Sequence, residues 1–218
     1  MKQRGDIQAS LNFFAEHAPP RGSTILDIGT RYGTFLHRLW LHGYVRYGID
    51  VNHETLEEGR KLYPGISLWH YGGHKLPFDD NSFDCVTMFD VIEHIPDVAE
   101  YMQEVHRVLK PNGRLIFQTP NKWWNAPWEL CAHGKAWADR HCSLQSYRSL
   151  WNLLREAGFS TPWFSKRSPD TPFKRQLARE KGGWFALCVL WVVAWLPLPM
   201  PWRTSFWGHC YKQEGSEK

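Results

Sequence analysis

Thr24-Ile25-Leu26-Asp27-Ile28-Gly29-Thr30-Arg31-Tyr32-Gly33 reads as a short buried strand running into a glycine turn. An apolar run of this length, bounded by glycine, suits a strand covered on both faces. Downstream, residues 35–41 have helical spacing closed by Gly43, residues 45–49 form a second strand ending at Asp50, and residues 54–62 form a helix stopped by Pro64 and Gly65. Upstream, Ile7, Leu11, Phe14 and Ala18 mark a helix that Pro19 and Pro20 stop. Residues 66–69 and 83–89 read as a third and a fourth strand. Val98, Met102, Val105 and Leu109 share one stripe of a helix ended by Pro111-Asn112-Gly113. Residues 115–119 are a fifth strand, residues 143–157 a helix ending at Gly158, and residues 206–212 a last strand. Strands alternating with helices in this way predict a doubly wound, mostly parallel α/β sheet, with ligands bound beyond the carboxyl ends of its strands.

The 218 residues suit one domain, and 43% hydrophobic against 22% charged residues excludes wholesale disorder. The five cysteines are odd in number and contain no C-x-x-C pair, so neither a disulfide framework nor a cysteine zinc site is expected. A reducing compartment fits, and the opening MKQRGDIQASLNFF has no apolar signal-peptide core, which points to the cytoplasm. Net charge is +4, but residues 160–218 carry nine Lys/Arg against four acids, so the basic excess lies wholly in the last quarter. An anionic membrane surface and a nucleic acid are the two partners such an excess suits.

After the first strand, the turn at 29–33 and the free N–H groups of the next helix offer a ligand cradle. After the second, Gly48-Ile49-Asp50 presents a carboxylate able to accept both hydroxyls of a ribose. NAD and S-adenosylmethionine sites share this pair of features. Six ordered blocks are more specific. They are Ile25-Leu26-Asp27-Ile28-Gly29, Tyr47-Gly48-Ile49-Asp50, Leu76-Pro77-Phe78-Asp79-Asp80-Asn81-Ser82-Phe83-Asp84, Asp90-Val91-Ile92-Glu93-His94-Ile95, Arg107-Val108-Leu109-Lys110-Pro111-Asn112-Gly113 and Thr119-Pro120-Asn121. With them the chain resembles class I S-adenosylmethionine-dependent methyltransferases, in the branch of the ubiquinone-biosynthesis O-methyltransferases, over about residues 20–160.

That resemblance implies a seven-stranded Rossmann-like sheet, with a cofactor-binding core over 1–160 and a C-terminal part over 161–218. It places Asp27, Gly29, Thr30 and Gly33 along the methionine and ribose side of S-adenosylmethionine, Asp50 on the ribose hydroxyls and Phe89 beside the cofactor. Two positions depart from the family pattern. Arg31 replaces the middle glycine of the first loop, and Gly72 stands where the family has an acid for the adenine amine, leaving adenine to backbone groups near Gly73 and His74.

The methyl group of a sulfonium is already activated, so transfer to oxygen needs an aligned acceptor and a destination for its proton. On a helical turn Asp90, Glu93 and His94 would share one face. In related ubiquinone and small-RNA 2′-O-methyltransferases, a similar segment and a later histidine bind a divalent cation, which here would put Mg²⁺, Mn²⁺ or Zn²⁺ on Asp90, Glu93, His94 and His141. The alternative is that Glu93 braces the turn while His141 and His94 act as bases or orient the acceptor. His133 is a weaker candidate.

Trp123, Trp124, Trp128 and Trp137 follow the fifth strand, where they suit an acceptor pocket wall, a membrane interface or a lid packed on the core. Residues 184–202 carry no charge, but Pro197, Pro199 and Pro201 end the helical part after about 20 Å, short of a roughly 30 Å hydrocarbon core. A monotopic anchor at the inner face of the membrane, inserted over 183–202 ahead of the last strand, is the leading reading, beside a true span and a buried helix. The sequence therefore predicts an S-adenosylmethionine-dependent O-methyltransferase for an amphipathic or lipid-linked acceptor. Nucleic-acid methylation and a non-catalytic membrane-bound module are the alternatives.

Overall fold

A computed structural model describes residues 7–73, 75–123, 141–165 and 203–213. The strands are β1 (Thr24–Ile28), β2 (Val45–Asp50), β3 (Ser67–His70), β4 (Phe83–Phe89), β5 (Leu109–Pro120), β6 (Trp163–Phe164) and β7 (Ser205–Tyr211). The helices are α1 (Ile7–His17), α2 (Thr34–Arg38), α3 (His53–Leu62), α4 (Val98–Val108) and α5 (Tyr147–Glu156). The strands form one sheet in the order β3-β2-β1-β4-β5-β7-β6. Pairs from β3 through β5 are parallel, while β7 runs antiparallel to both β5 and β6. The chain builds outward from β1 to β3 on one side, then crosses back to β4 on the other. The gap beyond the ends of β1 and β4 is thus the point where strand order reverses, the usual ligand crevice of such a sheet.

Both faces of the sheet are covered, which is why its central strands are apolar with little alternation. Leu26, Val86, Met88, Leu115 and Phe117 pack against Met102, Val105 and Leu154 of α4 and α5. Ile25, Cys85, Phe89 and Ile116 face the opposite side, against Phe13 and Phe14 of α1 and Phe35 and Leu36 of α2. Phe14 meets Phe35 and Tyr44 edge-on, at centroid distances of 5.6 and 6.0 Å. Full burial of side chains of this size is worth about 1.5–3 kcal/mol each.

Three boundaries lie more than two residues from the sequence expectation. The helix over 35–41 divides: α2 stops at Arg38, and Trp40–His42 tightens into a 3₁₀ turn closed by Gly43 at φ 67°. The fifth strand begins at Leu109 rather than 115, because Lys110–Gly113 bulges between the pairs Phe83–Leu109 and Cys85–Arg114. Asn112 tolerates φ 61° at that bulge and donates its N–H to the Lys212 carbonyl. The helix after 143 starts only at Tyr147, behind a reciprocal Ser146–Ser149 cap.

Two of the family-like blocks hold the frame. Arg107 donates to the Leu76 and Phe78 carbonyls and pairs with Glu104 and Asp80, while Glu104 accepts the Leu76 N–H at 2.9 Å. The loop before β4 is thereby clamped to α4. β6 and β7 bring the C-terminal part into the same sheet. The uncharged stretch 184–202 and its insertion range 183–202, with Trp124, Trp128, His133 and Trp137, lie outside the described residues. Among the described residues, no helix is long and apolar enough to cross a membrane.

Candidate functional site

A cleft of about 720 Å³ opens at the carboxyl edge of β1, β2, β4 and β5. Its lining includes Gly29 and Arg31 after β1, Asp50 and Val51 at the end of β2, Gly72 and Gly73 after β3, and Asp90, Glu93 and His94 after β4. Tyr101 of α4 and His141 complete the far wall. Its size and its mixture of apolar wall and convergent polar groups suit a small-molecule cofactor with room for an acceptor.

On the β1–β2 side, the backbone sets the geometry. Gly29 and Gly33 take φ values of 71° and 76°, and Gly29 has no room for a side chain, since a Cβ there would meet Val91 Cγ2 at 2.5 Å. The N–H groups of Gly29 and Thr30 both donate to the Ile49 carbonyl, which stitches the loop to β2. Asp50 is nearly buried, and its carboxylate accepts the Arg31 N–H at Oδ2 (2.8 Å) and the Asn52 N–H at Oδ1 (2.9 Å). Those bonds fix the carboxylate at the cleft wall, and each oxygen keeps a lone pair for a hydroxyl. Arg31 takes φ 53°, a left-handed conformation that favours glycine, and its guanidinium makes no hydrogen bond or ion pair with a described residue. The crevice beside Asp50 is therefore not closed by an Arg31–Asp50 pair.

The cofactor residues expected from the sequence separate into two groups. Gly29 and Asp50 line the cleft. Asp27, Thr30, Gly33 and Phe89 do not, and stand behind it. Asp27 is fully buried and accepts a 2.7 Å hydrogen bond from Thr87, its register partner on β4. Gly33 starts α2, and Thr30 packs its methyl against Gly48, where an added Cβ would approach to 2.6 Å. Phe89 packs edge-on to Phe35 at 5.2 Å and beside Trp207, because its place in the strand faces α2. Gly72 and Gly73 lie on the wall as expected, while His74 falls outside the described residues.

On the β4–β5 side, the expected shared helical face does not form. Asp90 takes φ 51°, and only Ile92–His94 turn as a 3₁₀ helix. Glu93 points inward, 2% exposed, and accepts the Thr119 hydroxyl at 2.9 Å, whereas His94 points outward. The Glu93 backbone carbonyl accepts the Ser143 N–H, and the His141 ring lies 4.6 Å from that of His94. The four candidate metal ligands all line the cleft. Among the described residues, however, no group of three or more His, Cys, Asp or Glu side chains is placed to hold a metal. The described residues thus do not gather the ligand set expected for Mg²⁺, Mn²⁺ or Zn²⁺: Glu93 turns inward and commits its Oε2 to Thr119.

Tyr101 and Tyr71 are site residues that the motif reading missed. Burial pushes the Tyr101 phenol well above its ordinary value, so it faces the cleft as a neutral hydroxyl. Its i+3 position after Val98 marks it only as core stripe, and its second role becomes visible once α4 is laid beside the cleft.

The family model described as a methyltransferase domain matches residues 2–161. A ubiquinone/menaquinone biosynthesis C-methyltransferase of Desulfotalea psychrophila is 34% identical over 107 residues, 47% of this chain and 43% of that protein. A ubiquinone biosynthesis O-methyltransferase of Pseudomonas syringae is 28% identical over 120 residues, 51% of this chain and 50% of that protein. Matches of this kind span half or less of the length of these curated relatives. Phosphoethanolamine N-methyltransferase 2 of Haemonchus contortus, solved with S-adenosyl-L-methionine, shares the fold at a TM-score of 0.69 and 17% identity, covering 95% of this chain and 53% of that one.

Proposed function

The chain belongs to the class I S-adenosylmethionine-dependent methyltransferase family, and from that footing we propose that it transfers the cofactor's methyl group to an oxygen of an amphipathic or lipid-linked acceptor. The observation that carries this reading is the single cleft that puts the Gly29–Arg31 loop, the Asp50 carboxylate and the His94–His141 pair around one space. Asp50 would receive the ribose hydroxyls, and adenine would lie along the wall formed by Gly72 and Gly73 with Val51 and Tyr71. The bound cofactor supplies an electrophilic methyl group. His141 then orients the acceptor or takes its hydroxyl proton, with His94 packed beside it.

The relatives named for ubiquinone and menaquinone synthesis support an acceptor with a quinone-type ring and a long apolar tail. The uncharged residues 184–202 and their basic flanks support a membrane-facing site for the same acceptor. Labelled S-adenosylmethionine incubated with the full chain and separate lipid and soluble extracts tests this. Label in a lipid-extractable product is the expected result. Label confined to soluble products or nucleic acid would overturn the acceptor class, and no transfer with any extract would overturn the enzyme reading.

A further inference from the structure

Four non-glycine residues among those described have positive φ: Arg31, Asn81, Asp90 and Asn112. Asn and Asp tolerate this conformation because their short side chains bond locally, whereas an arginine there is strained relative to glycine. Among the described residues, the strained arginine is also the only Arg or Lys that lines the cleft, alongside Asp50, Asp90 and Glu93. Its main-chain N–H is already committed to Asp50 Oδ2 at 2.8 Å, which fixes where the side chain leaves the loop. Its guanidinium has no hydrogen-bond or ion-pair partner among the described residues. A permanent cation, held at some strain on the wall of an otherwise acidic cleft, is matched to an anion brought by the ligand.

Resting on the cofactor reading above, we infer that the Arg31 guanidinium receives the α-carboxylate of S-adenosylmethionine and so selects for its amino-acid end. S-adenosylmethionine carries hydroxyls, an ammonium, a sulfonium and one anionic group. The first three suit a cleft lined by carboxylates, and the carboxylate needs a cation. A planar guanidinium can take a carboxylate through two parallel N–H bonds, which a lysine ammonium does only as a point charge. The arginine thereby supplies affinity that a glycine in this loop would leave to backbone amides.

Calorimetry with S-adenosylmethionine and its decarboxylated analogue, which differ only in that carboxylate, tests the assignment on the full chain. The wild type should prefer S-adenosylmethionine by about ten- to a hundredfold, the range expected for a hydrogen bond to a charged group. Arg31→Gly should bring the preference close to one while raising the melting temperature, since glycine relieves the φ 53° strain. Arg31→Lys should keep part of the preference. The opposite signs for stability and affinity separate recognition from a loop that has merely been disturbed. Binding of both compounds with no preference in the wild type, or a preference undiminished in Arg31→Gly, would overturn the inference and leave the cofactor reading standing. If neither compound bound the wild type, both would fall together.

Discussion

At the β1–β2 side of the cleft, Asp50 is held between two main-chain N–H groups, and the turn before it is shaped by glycines at positive φ. At the β4–β5 side, Glu93 is held by the Thr119 hydroxyl, and His141 arrives through a hydrogen bond from Ser143, fifty residues along the chain from Glu93. The first half is a product of local backbone geometry. The second is assembled by contacts between distant segments. A cofactor common to a whole family suits a site built from main chain. An acceptor that varies from member to member suits a site built from side chains and loops, which can change without disturbing the sheet.

The contrast makes separable predictions. Asp50→Ala removes the acceptor of two ribose hydroxyls and should weaken S-adenosylmethionine binding at least about a hundredfold by calorimetry, at 1.5–3 kcal/mol for each bond to a charged group. Retained affinity would break the assignment of the ribose to β2. His141→Ala should do the reverse, lowering turnover about a hundredfold, as loss of a general base does, while cofactor affinity stays within twofold. Equal losses in both quantities would merge the two halves into one functional unit.

Stability should divide the halves as well. Gly29→Ala forces a Cβ onto Val91 at φ 71° and should cost about 1–3 kcal/mol in chemical denaturation. Glu93→Ala leaves the Thr119 hydroxyl unpaired in the core and should cost about 1–3 kcal/mol, whereas Glu93→Gln, which keeps an acceptor, should recover most of it. A Glu93→Gln variant no more stable than Glu93→Ala would show that the charge, rather than the hydrogen bond, holds that half together.

The smallest expected effect lies away from the cleft. His17 and His209 face each other at 4.4 Å under Trp163, with Arg114 nearby. Burial, and then His17 itself, push His209 down to about 4, and burial lowers His17 too. The unfolded chain therefore binds more protons than the folded one between the ordinary histidine value and about 4. Stability should fall as pH drops through that window, and His209→Gln should flatten the slope. A melting temperature independent of pH from 7 to 4 would contradict this packing.

What could be read from the sequence follows the same division. β1 and β4 begin and end where their apolar runs do, and Asp50 stands at the end of β2, because glycine turns and buried strands leave local signatures. The inward turn of Glu93 had none. Its spacing from Asp90 and His94 suits a helix, and only the Thr119 hydroxyl, reached by pairing β4 with β5, shows that the chain turns as a 3₁₀ helix and buries the acid. The packing of Phe89 against α2 had no signature either: strand alternation gives two faces, and which one meets α2 depends on where α2 packs. Asn121 had no role in the sequence reading beyond its place in a family block. In the fold its side-chain amide donates to the Arg203 carbonyl, tying the end of β5 to the entry of β7.

The most direct measurement is a co-crystal structure with S-adenosylhomocysteine. Ribose hydroxyls within about 3 Å of the Asp50 oxygens, with the sulfur directed toward His94 and His141, are the predicted result. Density for the nucleoside elsewhere, or an Asp50 carboxylate turned away from it while still bonded to Arg31 and Asn52, would contradict the account.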